Sequence, residues 1–138
     1  FSSIIKKELG KDLTNTPSLG ASGGLGGCFY SFFDASIKLG IDKILDLSDF
    51  DKYASKADLI ITGEGSFDSQ SLNGKAISGI LKRVDKNKLV IICKKKKISN
   101  TLYRIYNTSD ENMPFEYIKE HAKDLYRKTL IKVLDDFI

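Results

Sequence analysis

The sequence predicts an α/β fold with three layers, in which helices cover both faces of a mostly parallel sheet. Short apolar runs alternate with stretches of helical periodicity, and the apolar residues within 57–62 and 89–93 are continuous rather than alternating. Such runs are typical of parallel strands that are buried on both faces. The order strand, loop, helix, strand implies parallel pairing through right-handed crossovers. At 138 residues the chain can enclose a hydrophobic core, so we predict a single α/β domain over residues 1–138.

Helical periods dominate the first 55 residues. Residues 2–9 are predicted to be the end of a helix that Gly10 closes. Apolar residues at helical spacing predict a second helix over residues 25–39, and Gly40 suits its C-terminal cap. Two further short elements are predicted, a strand within residues 41–47 and a helix over residues 48–55.

Strands and helices alternate in the rest of the chain. A loop over residues 63–75, rich in Gly, Ser and Asp, is predicted to follow the first buried strand. Pro114 suits the first position of a long amphipathic C-terminal helix. The other predicted elements are a helix over 75–84, a second buried strand over 89–93 and a third strand over 102–106.

Composition indicates an ordinary soluble globular protein, with 41% hydrophobic and 29% charged residues. No window approaches the roughly 18 consecutive apolar residues that a membrane span needs, so we expect no membrane partner. Neither Cys28 nor Cys93 has a Cys or His at metal-ligand spacing, and the single histidine is His121. We therefore expect both cysteines to be small buried side chains of a cytoplasmic protein, with no disulfide and no zinc site.

The formal net charge is +4, and the run of lysines at residues 94–97 contributes much of it. Such a run is able to attract nucleic acid or polyphosphate. No aromatic residues interleave with these lysines, and no nucleic-acid-binding motif accompanies them. We expect a solvated loop here and no nucleic-acid partner.

A glycine-rich segment at residues 20–27 precedes the second predicted helix. Glycines let the backbone approach a ligand closely, and a helix N-terminus favours an anion such as phosphate. The segment is not a Walker P-loop, because no Gly-Lys-Ser/Thr sequence closes it. The alternative is that the glycines only allow the helix to pack tightly against a neighbour, and the spacing leaves both interpretations open.

The loop predicted at residues 63–75 carries the clearest chemistry. It follows a buried strand, and ligands of parallel α/β sheets bind beyond the carboxyl ends of strands. Glu64 and Asp68 supply two carboxylates, while Gly63 and Gly65 are predicted to permit a tight turn around Glu64. Carboxylates that hold Mg²⁺ or accept a hydroxyl proton, beside a cation such as Lys75, are the groups that phosphoryl transfer requires.

A structural interpretation of this loop also stays open. Acidic side chains in loops are usually just solvated, and Lys75 could pair with Asp68 for a modest gain in stability. Ser69 or Asn73 could simply cap the next helix.

These residues resemble a known family. Thr62-Gly63-Glu64-Gly65, continued by Asp68-Ser69-Gln70 and Gly74-Lys75-Ala76, resembles the signature of bacterial-type glycerate kinases. The segments at residues 20–26 and 40–46 resemble the same family in order and spacing, so the likeness covers residues 20 to about 80. It implies a three-layer α/β/α, Rossmann-like fold that is incomplete here, because the chain matches only the C-terminal portion of the family.

The resemblance implies transfer of the ATP γ-phosphoryl group to a hydroxyl of glycerate, with Mg²⁺ as the metal. Asp68 and Glu64 would be the catalytic carboxylates and candidate metal ligands: Asp68 as proton acceptor or metal-associated group, Glu64 as a metal or substrate-orienting group. Contacts to substrate or phosphate are implied for Gly23, Gly24, Gly26, Gly63, Gly65, Gln70 and Lys75.

Three departures from the family pattern limit what this chain can do alone. Two N-terminal segments of the family are absent, so we expect the missing region to be needed and the isolated chain to be inactive or weakly active. Ser66-Phe67 stands where the family usually has Arg-Ile, and residues 94–97 replace a glycine-containing turn. A kinase for another small acid or sugar, and a non-catalytic anion-binding or interaction module on the same scaffold, remain the alternatives.

Overall fold

The computed structural model describes residues 1–72, 76–98 and 102–137. The chain divides into two compact units, Phe1–Leu39 and Gly40–Ile138, which are described separately below. Among the described residues, no helix has both the length and the apolar character that a membrane crossing demands.

The first unit consists of two helices, α1 (Ser2–Leu9) and α2 (Ala21–Phe33). Gly10 ends α1 in the left-handed conformation with φ 70°, as the sequence predicts. Helix α2 does not continue to residue 39, because Asp34 turns left-handed with φ 52° and its N–H donates to Phe29 O. Lys11 Nζ donates to the carbonyl of Ser31 at 2.8 Å, and a cation at this position stabilises the end of the helix.

The second unit contains a three-stranded sheet in the order β1–β2–β3, and both strand pairs are parallel. Its elements are α3 (Gly40–Leu47), α4 (Phe50–Ala54), β1 (Ile60–Phe67), a 3-10 turn (Ser69–Leu72), α5 (Ala76–Leu81), β2 (Leu89–Lys96), β3 (Arg104–Asn107), α6 (Phe115–Glu120) and α7 (Ala122–Asp135). The predicted α/β class with parallel pairing is confirmed.

Helices cover the two faces of this sheet. Successive side chains of β2 point to opposite faces, so alternate residues contact different helices. Ile91 and Cys93 pack with Ile77 of α5 on one face. Val90 and Ile92 pack with Val133 of α7 on the other. Residues 89–93 are all buried, which explains the continuous apolar run. By contrast β1 pairs only with β2 among the described strands, and its burial alternates, so the prediction that it is buried on both faces is wrong.

Residues 41–47 form helix α3 rather than the predicted strand. Short apolar runs fit a helix and a strand equally well, and tertiary packing decides between them. Here Ile41 lies against Gly79 of α5 so closely that a Cβ on Gly79 would stand 2.4 Å from Ile41 Cγ1. Leu45, one helical turn further along α3, is also buried.

Arg83 connects α3 and α4. Its guanidinium bonds Asp46 Oδ1 at 2.8 Å and lies 3.4 Å from Asp51 Oδ2, and it also donates to the carbonyl of Asp42 at 3.2 Å. The bond to Asp46 raises the pKa of Arg83 above its usual value, although partial burial acts in the opposite direction. Asp42 and Asp46, which belong to the matched family pattern, therefore have a structural role here.

Three smaller predictions also need correction. Pro114 is the residue before α6 rather than its first residue, and the expected single C-terminal helix is divided at His121, whose φ is −103°. Residues 94–96 extend β2 instead of forming a solvated loop, because they pair with β1 as far as Phe67↔Lys96. Lys94 Nζ also lies 4.5 Å from the centre of the Phe115 ring. Cys93 is buried as expected, but Cys28 is exposed.

Candidate functional site

The first half of the predicted active-site loop is part of strand β1. The strand continues through Phe67 because it pairs with β2 as far as Phe67↔Lys96. Gly63, Glu64 and Gly65 are therefore extended strand residues, and the chain turns only after Phe67. The prediction that they form a loop is wrong, but they still lie towards the carboxyl end of a parallel strand, where ligands of such sheets bind.

The two glycines beside Glu64 do not form a tight turn, and neither has a positive φ. A Cβ on Gly63 would stand 2.8 Å from the carbonyl oxygen of Ile92, so a side chain there would collide with the backbone of β2. A Cβ on Gly65 would meet nothing within 4 Å. Close approach of two strands therefore explains Gly63, while the space around Gly65 is open.

Glu64 is one end of a row of three polar side chains across the sheet, with Cys93 of β2 at the centre and Asn107 of β3 at the other end. It pairs in register with Cys93, and Cys93 pairs with Asn107, so all three side chains point to the face that α5 covers. Cys93 Sγ donates a weak hydrogen bond to Asn107 Oδ1 at 3.5 Å. Burial raises the pKa of the Cys93 thiol, and the nearby charge of Glu64 raises it further.

Two polar atoms on this face of β1 have no hydrogen-bond partner in the described structure. Glu64 Oε1 and Ser66 Oγ are both buried, and their residues lie two positions apart on the same side of the strand. Buried polar atoms without partners are uncommon in folded proteins and often indicate an ion, a water or a ligand. A hydroxyl, an ammonium group or a hard cation would satisfy the carboxylate oxygen.

Asp68 is the first residue after β1, and Ser71 organises the turn around it. The N–H of Asp68 donates to Ser71 Oγ at 3.1 Å, and the N–H of Ser71 donates to the carbonyl of Asp68 at 3.0 Å. The Ser71 hydroxyl in turn donates to the carbonyl of Ser66 at 3.3 Å. Ser71 is completely buried. Sequence reasoning counted it only as one hydroxyl of a polar loop, because its bonds to the backbone of Ser66 and Asp68 depend on how the chain turns after β1.

The remaining predicted contacts of this segment are only partly visible. Gln70 belongs to the 3-10 turn, but its side chain lies outside the described part of the structure. Asn73 and Lys75 also lie outside the described residues. Their predicted roles, including a pair between Lys75 and Asp68, therefore stay predictions.

The glycine-rich segment belongs to the first unit, where it forms a kink at the start of α2. Gly23 and Gly24 adopt φ values of 68° and 93°, which favour glycine. The N–H of Gly24 donates to Gly20 O at 3.2 Å. A Cβ on Gly26 would stand 3.0 Å from Ser18 O, so close packing accounts for this glycine. The anion-binding role of these glycines stays a prediction.

The donor set on and after β1 suits Mg²⁺. Residues 1–72, 76–98 and 102–137 contain no cluster of three or more His, Cys, Asp or Glu side chains that could enclose a metal ion. Mg²⁺ does not need such a cage, because it is usually held by one or two carboxylates together with phosphate oxygens and waters. Glu64, with its buried unpartnered oxygen, and Asp68 would hold the ion.

Comparison with known proteins was made at the level of sequence. The model of the glycerate kinase family matches residues 1–136. A glycerate kinase of Bacillus subtilis is 33% identical over 94% of this chain and 36% of its own length. A glycerate kinase of Neisseria meningitidis is 56% identical over 46% of this chain and 17% of its own length. A glycerate 2-kinase of Escherichia coli is 36% identical over 58% of this chain and 21% of its own length. The chain thus spans little more than a third of such relatives at most.

Proposed function

Because the chain belongs to the glycerate kinase family, we propose that it supplies the C-terminal portion of an enzyme that phosphorylates glycerate with ATP. The observation that supports this most directly is the buried carboxylate oxygen of Glu64, which, like the hydroxyl of Ser66 two residues on, has no hydrogen-bond partner among the described residues. Both atoms lie towards the carboxyl end of a parallel strand, which is where α/β proteins bind their ligands. An acidic group with an unused oxygen at such a place is suited to a metal ion or a substrate hydroxyl.

The reaction joins a hydroxyl oxygen of glycerate to the γ-phosphorus of ATP, breaks the bond between that phosphorus and the β–γ bridging oxygen, and releases ADP. The proton of the hydroxyl passes to a carboxylate, and we assign this acceptor role to Asp68. Glu64 orients the substrate hydroxyl or holds Mg²⁺, which when bound neutralises charge on the phosphate oxygens. Ser71 holds the backbone of the turn in place and thereby positions the backbone from which the Asp68 side chain extends.

Further contacts to phosphate or substrate are assigned to groups outside this acidic pair. Gln70 and Lys75 lie two and seven residues after Asp68 in the chain, and the compact charge of a lysine is suited to phosphate. The backbone at Gly23, Gly24 and Gly26, together with Gly63 and Gly65, completes the proposed binding residues. In this proposal the reaction takes place in the cytoplasm. It needs the part of the family fold that residues 1–138 do not cover.

A chimeric enzyme tests this function. In it, residues 1–138 replace the matching segment of the Bacillus subtilis glycerate kinase, and ATP-dependent phosphorylation of glycerate is followed by ADP release. We expect turnover in the chimera and none from residues 1–138 alone. Asp68→Asn should lower kcat roughly 10²- to 10⁴-fold, the usual size of a lost general base. Glu64→Gln should lower kcat/KM by roughly 10²-fold.

Asp58→Asn is the matched control, since Asp58 is an exposed carboxylate that precedes β1, at the opposite end of the strand from Asp68. It should leave turnover unchanged. Full activity of both Asp68→Asn and Glu64→Gln in a correctly folded chimera would refute the proposed roles. A panel of other small acids and sugars shows in the same assay whether glycerate is the preferred acceptor.

The second candidate is a non-catalytic module that binds anions or another protein on this scaffold. It is favoured by Ser66, which stands at a position where the family resemblance implies an arginine. Calorimetric titration separates the two functions. The module should bind ATP or inorganic phosphate in the chimera without turnover, whereas the kinase should bind ATP and also phosphorylate glycerate.

A further inference from the structure

Helix α2 has an unusual distribution of side chains for a helix of a globular protein. Its buried residues are the small ones, Gly27 and Ser31. Its large apolar side chains point outward, and Phe32 and Phe33 are 64% and 69% exposed. A helix at the surface of a folded globular protein normally turns its apolar face to the core and its polar face to water. In α2 this order is reversed.

The inner face of α2 is occupied by backbone rather than by side chains. A Cβ on Gly26 would stand 3.0 Å from Ser18 O, and one on Gly27 would stand 3.3 Å from Leu19 O. The helix therefore lies directly on the preceding turn, and no large side chain fits between them. Its bulky residues have no place on this side, so the exposed position of the phenylalanines is a consequence of how the first unit packs.

The outer face forms one continuous apolar patch, which we call the α2 patch and which consists of Leu25, Phe29, Phe32 and Phe33. These residues follow the i, i+4, i+7, i+8 spacing of one helical face. The rings of Phe29 and Phe33 already touch, with their centres 5.6 Å apart. With about 200 Å² for a fully exposed phenylalanine, the patch offers roughly 400 Å² of apolar surface. A patch of this size equals the largest apolar patch of a typical monomer, and such patches often have a function.

A cavity of about 480 Å³ opens beside the patch. Its lining is predominantly apolar and includes Leu13, Leu19 and Phe32, with the Cys28 thiol at its wall. The glycines Gly20, Gly23 and Gly24 form another part of its wall, and the last two belong to the proposed binding residues. The apolar part of the cavity suits an apolar side chain that a protein partner inserts, which is the usual form of an anchor at an interface.

We propose that the α2 patch and this cavity are covered by the part of the glycerate kinase fold that residues 1–138 do not contain. The inference rests on the proposed function, because it takes the family membership as the reason for the partner's identity. The Bacillus subtilis relative matches this chain over 36% of its own length, so most of that fold has no counterpart here. A standard interface buries about 800 Å² on each partner, and the patch with its cavity would form the centre of such an interface.

Binding in solution tests this proposal without any measurement of catalysis. The partner is a polypeptide that carries the portion of the Bacillus subtilis glycerate kinase with no counterpart in this chain, and the affinity is measured by analytical ultracentrifugation. We expect a one-to-one complex with the wild-type chain. Phe32→Asp should weaken it at least about 30-fold in Kd, the loss typical of a central aromatic anchor.

Ile131→Asp provides the matched control. Ile131 lies on α7, far along the chain, and is 53% exposed, so the substitution adds the same charge to another exposed apolar position. It should leave the Kd unchanged. Equal binding by Phe32→Asp and wild type, or equal loss in both variants, would overturn the assignment to the α2 patch. A complex of two copies of this chain that Phe32→Asp dissolves would overturn the proposed occupant.

Hydrogen exchange of the wild-type complex gives a second test that needs no substitution. Amides of residues 25–33 should exchange at least about tenfold more slowly in the complex than in the chain alone, because a covered helix opens less often. Unchanged exchange in this helix in a complex that forms would overturn the proposal. A complex that forms through α2 but does not phosphorylate glycerate would support the interface while refuting the proposed function.

Discussion

Glu64 and Cys93 are cross-strand neighbours in the parallel pair of β1 and β2, and both side chains lie on the face that α5 covers. The thiol is buried, and its pKa is raised by that burial and by the carboxylate beside it. One oxygen of the same carboxylate is buried and has no partner among the described residues. A charge in such a place acts more strongly on a nearby ion than a charge in water does, since the medium around it is less polar.

Reactivity of the two cysteines should differ accordingly. We expect Cys28, which is exposed, to react with a thiol reagent such as DTNB in the native protein at pH 8. Cys93 should react at least about 100-fold more slowly, because it is buried and because its raised pKa leaves less thiolate, the reactive form. Both should react at similar rates in denaturant. Rapid labelling of two thiols in the native chain, counted by mass spectrometry, would contradict the burial of Cys93.

Gly63→Ala and Gly65→Ala form a matched pair on one strand. The new methyl group at position 63 would collide with the carbonyl of Ile92, and we expect this to lower the free energy of unfolding by about 1–3 kcal/mol. Position 65 has open space and no positive φ, so its change should stay within about 0.5 kcal/mol. Urea unfolding followed by circular dichroism measures both values. Equal losses would indicate that contact with Ile92 is not the reason for Gly63.

Ser71→Ala should destabilise the turn that carries Asp68. The substitution leaves the N–H of Asp68 and the carbonyl of Ser66 without their partner at a completely buried position. We expect a loss of about 1–3 kcal/mol in the free energy of unfolding. Ser36→Ala, at an exposed position, should have almost no effect in the same urea titration. In the chimeric enzyme, Ser71→Ala should also lower kcat more than KM, since it moves a reacting group.

Asp12 should titrate well below an ordinary aspartate. The hydrogen bond from Lys6, followed by that from the N–H of Thr14, lowers its pKa from 3.8 to about 2. A group whose folded pKa is lowered stabilises the protein above its unfolded pKa, so this contribution is complete above about pH 3.8 and is lost towards pH 2. Carbon-13 NMR of the carboxyl should give the low midpoint, and Lys6→Met should return it towards 3.8. An unchanged midpoint in Lys6→Met would exclude the ion pair as the main cause.

Local sequence patterns were sufficient for part of the fold. The apolar runs at residues 57–62 and 89–93 identify two neighbouring parallel strands, and Gly10 correctly ends α1. The signature around Glu64 and Asp68 identified the family, which the match over residues 1–136 shows independently. These features depend on residues that are near each other in the chain, so they can be predicted from the sequence without a structure.

The rest depends on partners that are distant in the chain. Strand β1 extends to Phe67 because β2 pairs with it that far, and no local signal reveals that the lysine run is its partner. Residues 41–47 become a helix because Ile41 fits the surface that Gly79 leaves open. Sequence alone therefore determined the fold class, the family and the position of the acidic segment. Tertiary structure decided that Glu64 is a strand residue whose buried oxygen has no partner in the described part of the chain, because strand ends and burial are set by neighbouring elements rather than by the chain's own pattern.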